Sequence, residues 1–218
     1  MADKPKTLPR SLWIGIIFLL AFLCLACLLA LAAMQNRQPP LPVYGQIANF
    51  TLTNQDNRVT TLADLTNHVW VADIIFTRCA GQCPRMTQQM KSLQDALSKD
   101  GNVRLVTLTT DPGYDSPSIL KRYGERFGAD FDRWMFLTGT ERQIAGLAAN
   151  SLKLSAKPIA QANQKTPVDL FIHSTIFVLV DKHARMRGIY QTGGEGVNWK
   201  SQTRPALLSA VHRLEHAS

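Results

Sequence analysis

The sequence predicts an α/β fold, in which helices cover both faces of a central mixed sheet, after an N-terminal transmembrane helix. Two observations predict the layered domain: helix patterns alternate with short apolar strands, and the strand at residues 69–76 is almost continuously apolar, as in a strand covered on both faces. The third observation is an uncharged apolar run over residues 12–34, which is long enough to cross a bilayer.

The basic residues around this apolar run predict its orientation. Three of them precede the run and one follows it closely: Lys4, Lys6 and Arg10, then Arg37. Because basic residues stay on the cytoplasmic side, residues 1–11 are expected in the cytoplasm and the domain on the periplasmic, extracytoplasmic side of the inner membrane. A cleaved signal peptide ending near Ala30, Leu31 and Ala32 is the alternative, but the run is longer than a signal-peptide core, which favours a retained single-pass anchor.

Two cysteines, Cys24 and Cys27, lie inside the apolar run. Small polarizable side chains pack well there, so packing is favoured over lipid attachment for both. Residues 35–45 contain Pro39, Pro40 and Pro42 and are expected to form a stiff spacer. The remaining chain, residues 46–218, is expected to form one domain.

Within this domain the pattern predicts each element in turn. The expected elements are a hairpin of residues 46–53 and 59–62, a strand at 69–76, a helix from Pro84 to about 98, a parallel strand at 103–108, a helix at 117–127, a strand at 135–137, a helix at 140–150, an inserted loop at 153–169, a strand pair at 176–180 and 186–190, a glycine-rich connection at 193–196 and a closing helix at 200–216.

The chain has a net charge of +8, but its basic residues are scattered. A nucleic-acid-binding surface would need them gathered in a stripe with interleaved aromatic residues. We therefore expect no nucleic-acid partner.

The residues most suggestive of chemistry are Cys79 and Cys83, where the strand at 69–76 gives way to a helix. Pro84 suits the first helical turn, which places Cys83 at the helix start. The positive end of the helix dipole, with Arg78 and Arg85, is expected to favour the reactive thiolate. With three residues between them, the sulfurs can form a disulfide bond or share one soft metal ion. A buried cysteine pair without chemistry is the alternative.

Two further residues lie at the ends of predicted strands. His173 precedes the strand at 176–180, and Asp111 follows the strand at 103–108, at the edge where open α/β sheets place their sites. Two thiolates and an imidazole suit Cu(I), and Cu(II) also accepts them, whereas structural zinc would want a fourth ligand. Asp111 is either a turn residue or an auxiliary group that orients the ligands.

These residues give the chain a resemblance to the Sco/SenC family of membrane-anchored copper proteins. The likeness runs from about Ala48 to Tyr190, and its matching segments are residues 49–56, residues 75–79 with Cys83 and Pro84, residues 111–117, and His173 to Thr175. The family usually has a proline directly after the first cysteine, where this chain has Ala80, so the loop is expected to be less rigid here.

The resemblance implies a thioredoxin-like fold and a copper site made by Cys79, Cys83 and His173. It also implies delivery of copper to the apo copper subunit of cytochrome c oxidase, with a copper donor or a thiol reductant as a second partner. Two alternatives remain at this stage. One is a thiol-disulfide oxidoreductase that reduces client cysteines, with Cys79 and Cys83 as its catalytic pair. The other is peroxide reduction or redox sensing by a single thiolate.

Overall fold

The computed structural model describes residues 10–35, 39–154, 156–158, 171–173 and 175–216. The chain divides into two compact units, Met1–Pro40 and Leu41–Ser218. The first contains helix α1 (Arg10–Gln35), which covers the predicted span. Among the residues whose side chains are described, no helix offers a stretch long and apolar enough to cross a membrane.

The second unit is built on a mixed sheet. The strands of this unit are β1 (Gly45–Gln46), β2 (Thr51–Asn54), β3 (Val59–Thr61), β4 (Val69–Ile75), β5 (Val103–Thr109), β6 (Trp134–Thr138), β7 (Ala156–Pro158), β8 (Phe171–His173), β9 (Ile176–Val180) and β10 (Arg185–Gln191). Eight of these strands form one sheet in the order β1-β10-β9-β4-β5-β6-β2-β3, whereas β7 and β8 form a separate antiparallel pair.

Strand β4 lies inside the large sheet, with β5 parallel on one side and β9 antiparallel on the other. All of its residues are buried, as its continuous apolar pattern predicts. The carboxyl ends of β4 and β5 therefore meet at one edge of the sheet, and the first residue of the antiparallel β9 lies at that same edge. This is the edge at which the cysteine motif begins.

Helices cover both faces of this sheet, so the predicted layers are confirmed. The remaining α-helices are α2 (Gln82–Ala96), α3 (Pro117–Arg126), α4 (Glu141–Ala145) and α5 (Arg204–Glu215), with a 3₁₀ helix at Leu62–Leu65 and π-helical segments at Gly146–Ser151 and Trp199–Thr203. Apolar residues of α2, α3 and α5 pack on one face. The opposite face is covered by α4 and the π-helical segment that follows it. On α2, the predicted stripe is buried: Met86, Met90, Leu93 and Leu97.

The main departure from the prediction is the first hairpin. The segment predicted as one strand is two: β1 pairs with β10, whereas β2 pairs with β3 and β6 towards the other side of the sheet. A local pattern identifies extended chain but not its pairing partner, so it could not show this crossing. The turn between β2 and β3 is as expected, because Asn57 adopts the left-handed conformation, with φ at 57°.

Two predicted helices are also modified. The helix at 140–150 is α-helical only to Ala145 and continues as a π-helical segment, and the closing helix begins with a π-helical segment. Of the loop predicted at 153–169, Ala156–Pro158 forms β7, while residues 155 and 159–170 lie outside the described residues.

Candidate functional site

The cysteine motif occupies the connection from β4 to α2. Gly81 is the residue before the helix, and Cys83 is the second residue of α2. Pro84 is the third, a first-turn position where a backbone N–H would have no partner within the helix, so the proline, which has none, loses no hydrogen bond there. The prediction that Cys83 lies at a helix start is therefore confirmed.

The two cysteines are reduced, and their thiols contact each other through a hydrogen bond. Cys83 is fully buried and Cys79 is partly exposed. A hydrogen bond with the Cys79 thiol, together with burial, raises the pKa of Cys83, and the backbone of Phe76 opposes this only in part. A disulfide bond was among the expected states of the pair, but the structure holds the reduced state, with Cys79 as the sulfur that solvent reaches.

The raised pKa corrects the expectation that the helix start favours thiolate at Cys83. The hydrogen bond with the Cys79 thiol raises the pKa of Cys83 most, and burial, which penalises the charged form, raises it further. Arg78 is in addition engaged elsewhere: its Nη2 lies 2.5 Å from Asp111 Oδ2, and its guanidinium stacks 4.1 Å from the centroid of the Tyr114 ring. Its charge is therefore largely compensated by Asp111.

Asp111 combines the two roles considered for it. Its backbone carbonyl accepts hydrogen bonds from Tyr114 and Asp115, as in a turn residue. Its carboxylate binds Arg78, the residue before Cys79. Asp111 therefore interacts with the cysteine motif through the side chain of Arg78.

Asp115 is the site residue that sequence reasoning did not single out. It is fully buried, and its carboxylate accepts hydrogen bonds from the Thr77 backbone N–H at 3.1 Å, from the Thr77 hydroxyl and from the Thr109 hydroxyl at 2.5 Å. Thr77 opens the motif loop and Thr109 ends β5, so one buried carboxylate fixes the loop to the neighbouring strand. The sequence feature that could have indicated Asp115 is the pair of threonines at the carboxyl ends of two adjacent parallel strands, Thr77 just after β4 and Thr109 at the end of β5.

A second buried network lies behind Cys83. The Thr87 hydroxyl donates to the Cys83 carbonyl at 2.9 Å. Because that bond uses the Thr87 proton, the Tyr123 hydroxyl is the donor in the 2.8 Å contact with Thr87. The network links the first turn of α2 to α3.

We expect Thr87→Val to lower the free energy of unfolding by about 1–2 kcal/mol, because it leaves the buried Tyr123 hydroxyl without its partner. Tyr123→Phe is expected to cost about 1 kcal/mol, and the double variant less than the sum of both. Chemical denaturation followed by circular dichroism measures all three. Strictly additive costs would show that the two hydroxyls do not interact.

His173 is the last residue of β8, where it pairs with Ala156 of β7. Its side chain lies outside the described residues, so its role as a ligand remains a prediction. Two hydrogen bonds connect the backbone that follows to α2. The Thr175 carbonyl accepts a hydrogen bond from the Thr192 backbone N–H at 2.8 Å, and the Thr192 carbonyl accepts one from Gln89 Nε2 of α2 at 2.8 Å. The chain two residues after His173 is thus tied to the helix that carries Cys83.

One further cluster of metal-ligand residue types lies elsewhere. Asp100, His212 and Glu215 bring their ligand atoms within 4.8 Å of one another. Asp100 precedes β5, at the opposite edge of the sheet from the cysteines, and one of its carboxylate oxygens lies 3.3 Å from His212 Nε2.

Comparison with known proteins identifies the family. A family model described as SCO1/SenC matches residues 43–204, most of the chain. The chain belongs to this family. The match contains Cys79, Cys83, Asp111 and His173.

Individual relatives agree with this assignment. A SCO1 protein homolog of Bacillus subtilis is 35% identical over 174 residues, which are 78% of this chain and 81% of the relative. A Stutzerimonas stutzeri relative, whose name includes the words copper-binding protein, is 29% identical over 192 residues, 84% of this chain and 87% of the relative. The solved structure of BsSco, with 28% identity, superposes with a TM-score of 0.67 and covers 83% of this chain and all of BsSco. Its sheet and helices confirm the thioredoxin-like fold of the SCO1/SenC chain.

Proposed function

We propose that this SCO1/SenC protein is a membrane-anchored copper metallochaperone, which holds copper through Cys79, Cys83 and His173 and delivers it to the binuclear copper site of cytochrome c oxidase. The observation that carries the proposal is the pair of adjacent reduced thiols, one buried and one partly exposed, at the sheet edge that the chain after His173 also approaches.

The donor set fits copper. Thiolate sulfur selects Cu(I), and imidazole completes a low coordination number that Cu(II) also accepts. Both thiols must lose their protons on binding, so copper uptake releases protons and weakens in acid. The hydrogen bonds of Asp115 hold the motif loop in one position, so the loop does not have to be ordered when copper binds.

The family relatives support the cargo and the client. BsSco is described as a member of the Sco family of cytochrome c oxidase assembly proteins, and the Stutzerimonas stutzeri relative is named for copper binding. By this likeness we propose the apo copper subunit of the oxidase as the receiver and a separate copper donor as the source.

We also propose that residues 12–34 anchor the protein in the inner membrane as a single span. This stretch contains no charged residue, and basic residues are concentrated before it. The N-terminus is then cytoplasmic and the copper site lies on the extracytoplasmic side. The anchor keeps the site on the membrane that carries the client.

The test is a copper titration of residues 41–218, reduced and without oxygen. We expect one tightly bound copper ion per chain, and a loss of affinity in His173→Ala of about tenfold or more. His183→Ala is the matched control, because His183 is an exposed turn histidine. Equal affinity of wild type and His173→Ala would remove the histidine from the site, and no tight binding at all would end the proposal.

A second candidate is thiol-disulfide exchange with a client, favoured by the contact between the two thiols and by the disulfide switch described for BsSco. Cys79 would attack a client disulfide, Cys83 would then displace the client, and the pair would give up two electrons and two protons as it becomes a disulfide. Incubation with a disulfide-linked peptide, followed by thiol counting, tests this. An unchanged peptide in the presence of the reduced protein would exclude it.

A further inference from the structure

A cavity of about 720 Å³ lies between α2 and the segment that leads into α5. One wall is a face of α2 that begins at Arg85 and includes Gln89, and the opposite wall begins at Val197 and includes Trp199 and Lys200. We call it the basic cavity. It takes no part in holding the cysteine pair.

The charges around the basic cavity have one sign. Arg85, Lys200 and Arg204 line it, and no acidic side chain does. Among the described residues, none of these three cations has an ion-pair partner, although ion pairs are present elsewhere in the domain. Three uncompensated cations around one concave surface attract an anionic ligand.

Two buried polar atoms of residues that line this surface have no hydrogen-bond partner among the described residues. Gln89 is only 7% exposed; its Nε2 donates to Thr192, but its Oε1 has no hydrogen-bond partner among the described residues. Arg204 Nε is likewise buried and unmatched, although its Nη2 donates to the Ser92 carbonyl at 3.2 Å. Both atoms are shielded from solvent, so the charged ends of the cavity-lining cations remain the groups that an outside ligand can reach.

The basic cavity and the cysteine motif share helix α2. Arg85 is two residues after Cys83 on α2, and the Gln82 side chain lies against Gly193, whose backbone continues to Val197 in the cavity wall. The glycine-rich segment, interpreted from the sequence as a flexible connection, therefore runs from Gln82 of α2 to this cavity. Gly194 and Gly196 have φ values of 115° and 75°, which only glycine adopts readily.

A second concave surface is lined by Arg78, Arg122 and Arg126, next to Thr77 of the motif loop, but two of these three cations are already engaged. Arg78 is paired with Asp111, and Arg126 lies over the Tyr123 ring. The basic cavity is therefore the better candidate for an outside ligand.

We propose that the basic cavity binds an acidic peptide segment of the protein that exchanges copper with this chain. Glutamate or aspartate side chains would pair with Arg85 and Lys200, the two cations of the cavity whose charges no acidic residue among the described residues balances. The identity of the partner rests on the proposed function, but the binding itself requires no copper. Docking here would place the partner against α2, the helix that carries Cys83.

The test uses full-length, reduced, copper-free protein in non-ionic detergent. It is titrated with a fluorescein-labelled peptide in which glutamate alternates with glycine, and with the same peptide carrying glutamine. We expect the glutamate peptide to bind in a salt-sensitive way and the glutamine peptide not to bind. Arg85→Gln and Lys200→Gln are each expected to weaken binding about threefold, and the double variant about tenfold.

Lys99→Gln is the matched control, because it removes the same charge from an exposed residue beyond the other end of α2. It is expected to leave peptide affinity unchanged. An equal loss in Lys99→Gln, or equal binding of the two peptides, would overturn the proposal. So would inorganic phosphate that binds with the same dependence on Arg85 and Lys200 while the peptide does not bind.

A copper titration of the same wild-type sample separates this inference from the proposed function. Copper binding without peptide binding refutes only the docking site. Peptide binding that follows the expected variants, without copper binding, refutes only the metallochaperone.

Discussion

Replacing both Cys79 and Cys83 with serine is expected to weaken copper binding at least about a thousandfold, which corresponds to about 4 kcal/mol. Serine keeps nearly the same shape but offers a hard oxygen in place of a soft thiolate, so both ligands that select copper are lost. The three hydrogen bonds to Asp115 do not involve either sulfur, and the loop is therefore expected to keep its position.

The measurement is a competition titration of the full-length chain with a Cu(I) chelator of known affinity, and the matched control is already in the sequence. Cys24 and Cys27 form a second cysteine pair, outside the domain, and their double serine variant removes the same number of thiols. We expect it to keep the affinity of the wild type. An equal loss in both double variants would assign the copper to thiols in general and not to the motif.

The cysteine site could be predicted from the sequence because its determinants are local. A buried strand leads directly into a helix with a proline in its first turn, and the two cysteines lie between. The parallel pairing of β4 with β5 also follows from the order of strand and helix patterns, since a helix between two strands returns the chain in the same direction.

The remaining features of the site depend on contacts between distant segments. The pKa of Cys83 is set by burial and by the neighbouring thiol, and these outweigh the helix start that the sequence displays. The tie from Thr175 through Thr192 to Gln89 joins positions about 100 residues apart, as the separation of Gln89 and Thr192 by 103 residues shows. Such contacts follow from the packing of the whole domain and not from any local pattern.

Asp111 and Asp115 illustrate the same limit at a single loop. Both follow β5 within a few residues, and the sequence drew attention to Asp111 because it comes directly after the strand. The structure gives the buried position to Asp115, while Asp111 binds an arginine whose side chain is 39% exposed. The two carboxylates therefore make a matched pair for mutation.

Asp115→Asn is expected to lower the free energy of unfolding by about 2–4 kcal/mol at neutral pH. The carboxylate accepts hydrogen bonds from the N–H and O–H groups of Thr77 and Thr109, whereas the NH₂ group of asparagine is itself a donor and cannot accept them. Asp111→Asn is expected to cost less than about 1 kcal/mol, since it weakens one partly exposed ion pair. Urea denaturation of both variants compares these values. Equal costs would show that Asp115 does not hold the loop as described.

The pH dependence of the stability gives an independent check on the role of Asp115. Burial raises the pKa of Asp115, hydrogen bonds from Thr109 and Thr77 oppose it, and the charge of Asp111 adds to it, so that the net shift is upward. Because the pKa of Asp115 is higher in the folded protein than in the unfolded protein, its protonation stabilises the fold. This stabilisation is fully present below the pKa of the unfolded state, about 3.9, and is lost as pH rises through the pKa of the folded state. The stability gap between wild type and Asp115→Asn is therefore expected to be widest in acid and to narrow as pH rises through that window. A gap that instead widens with rising pH would mean that the hydrogen bonds outweigh burial and that the carboxylate is stabilised as an anion.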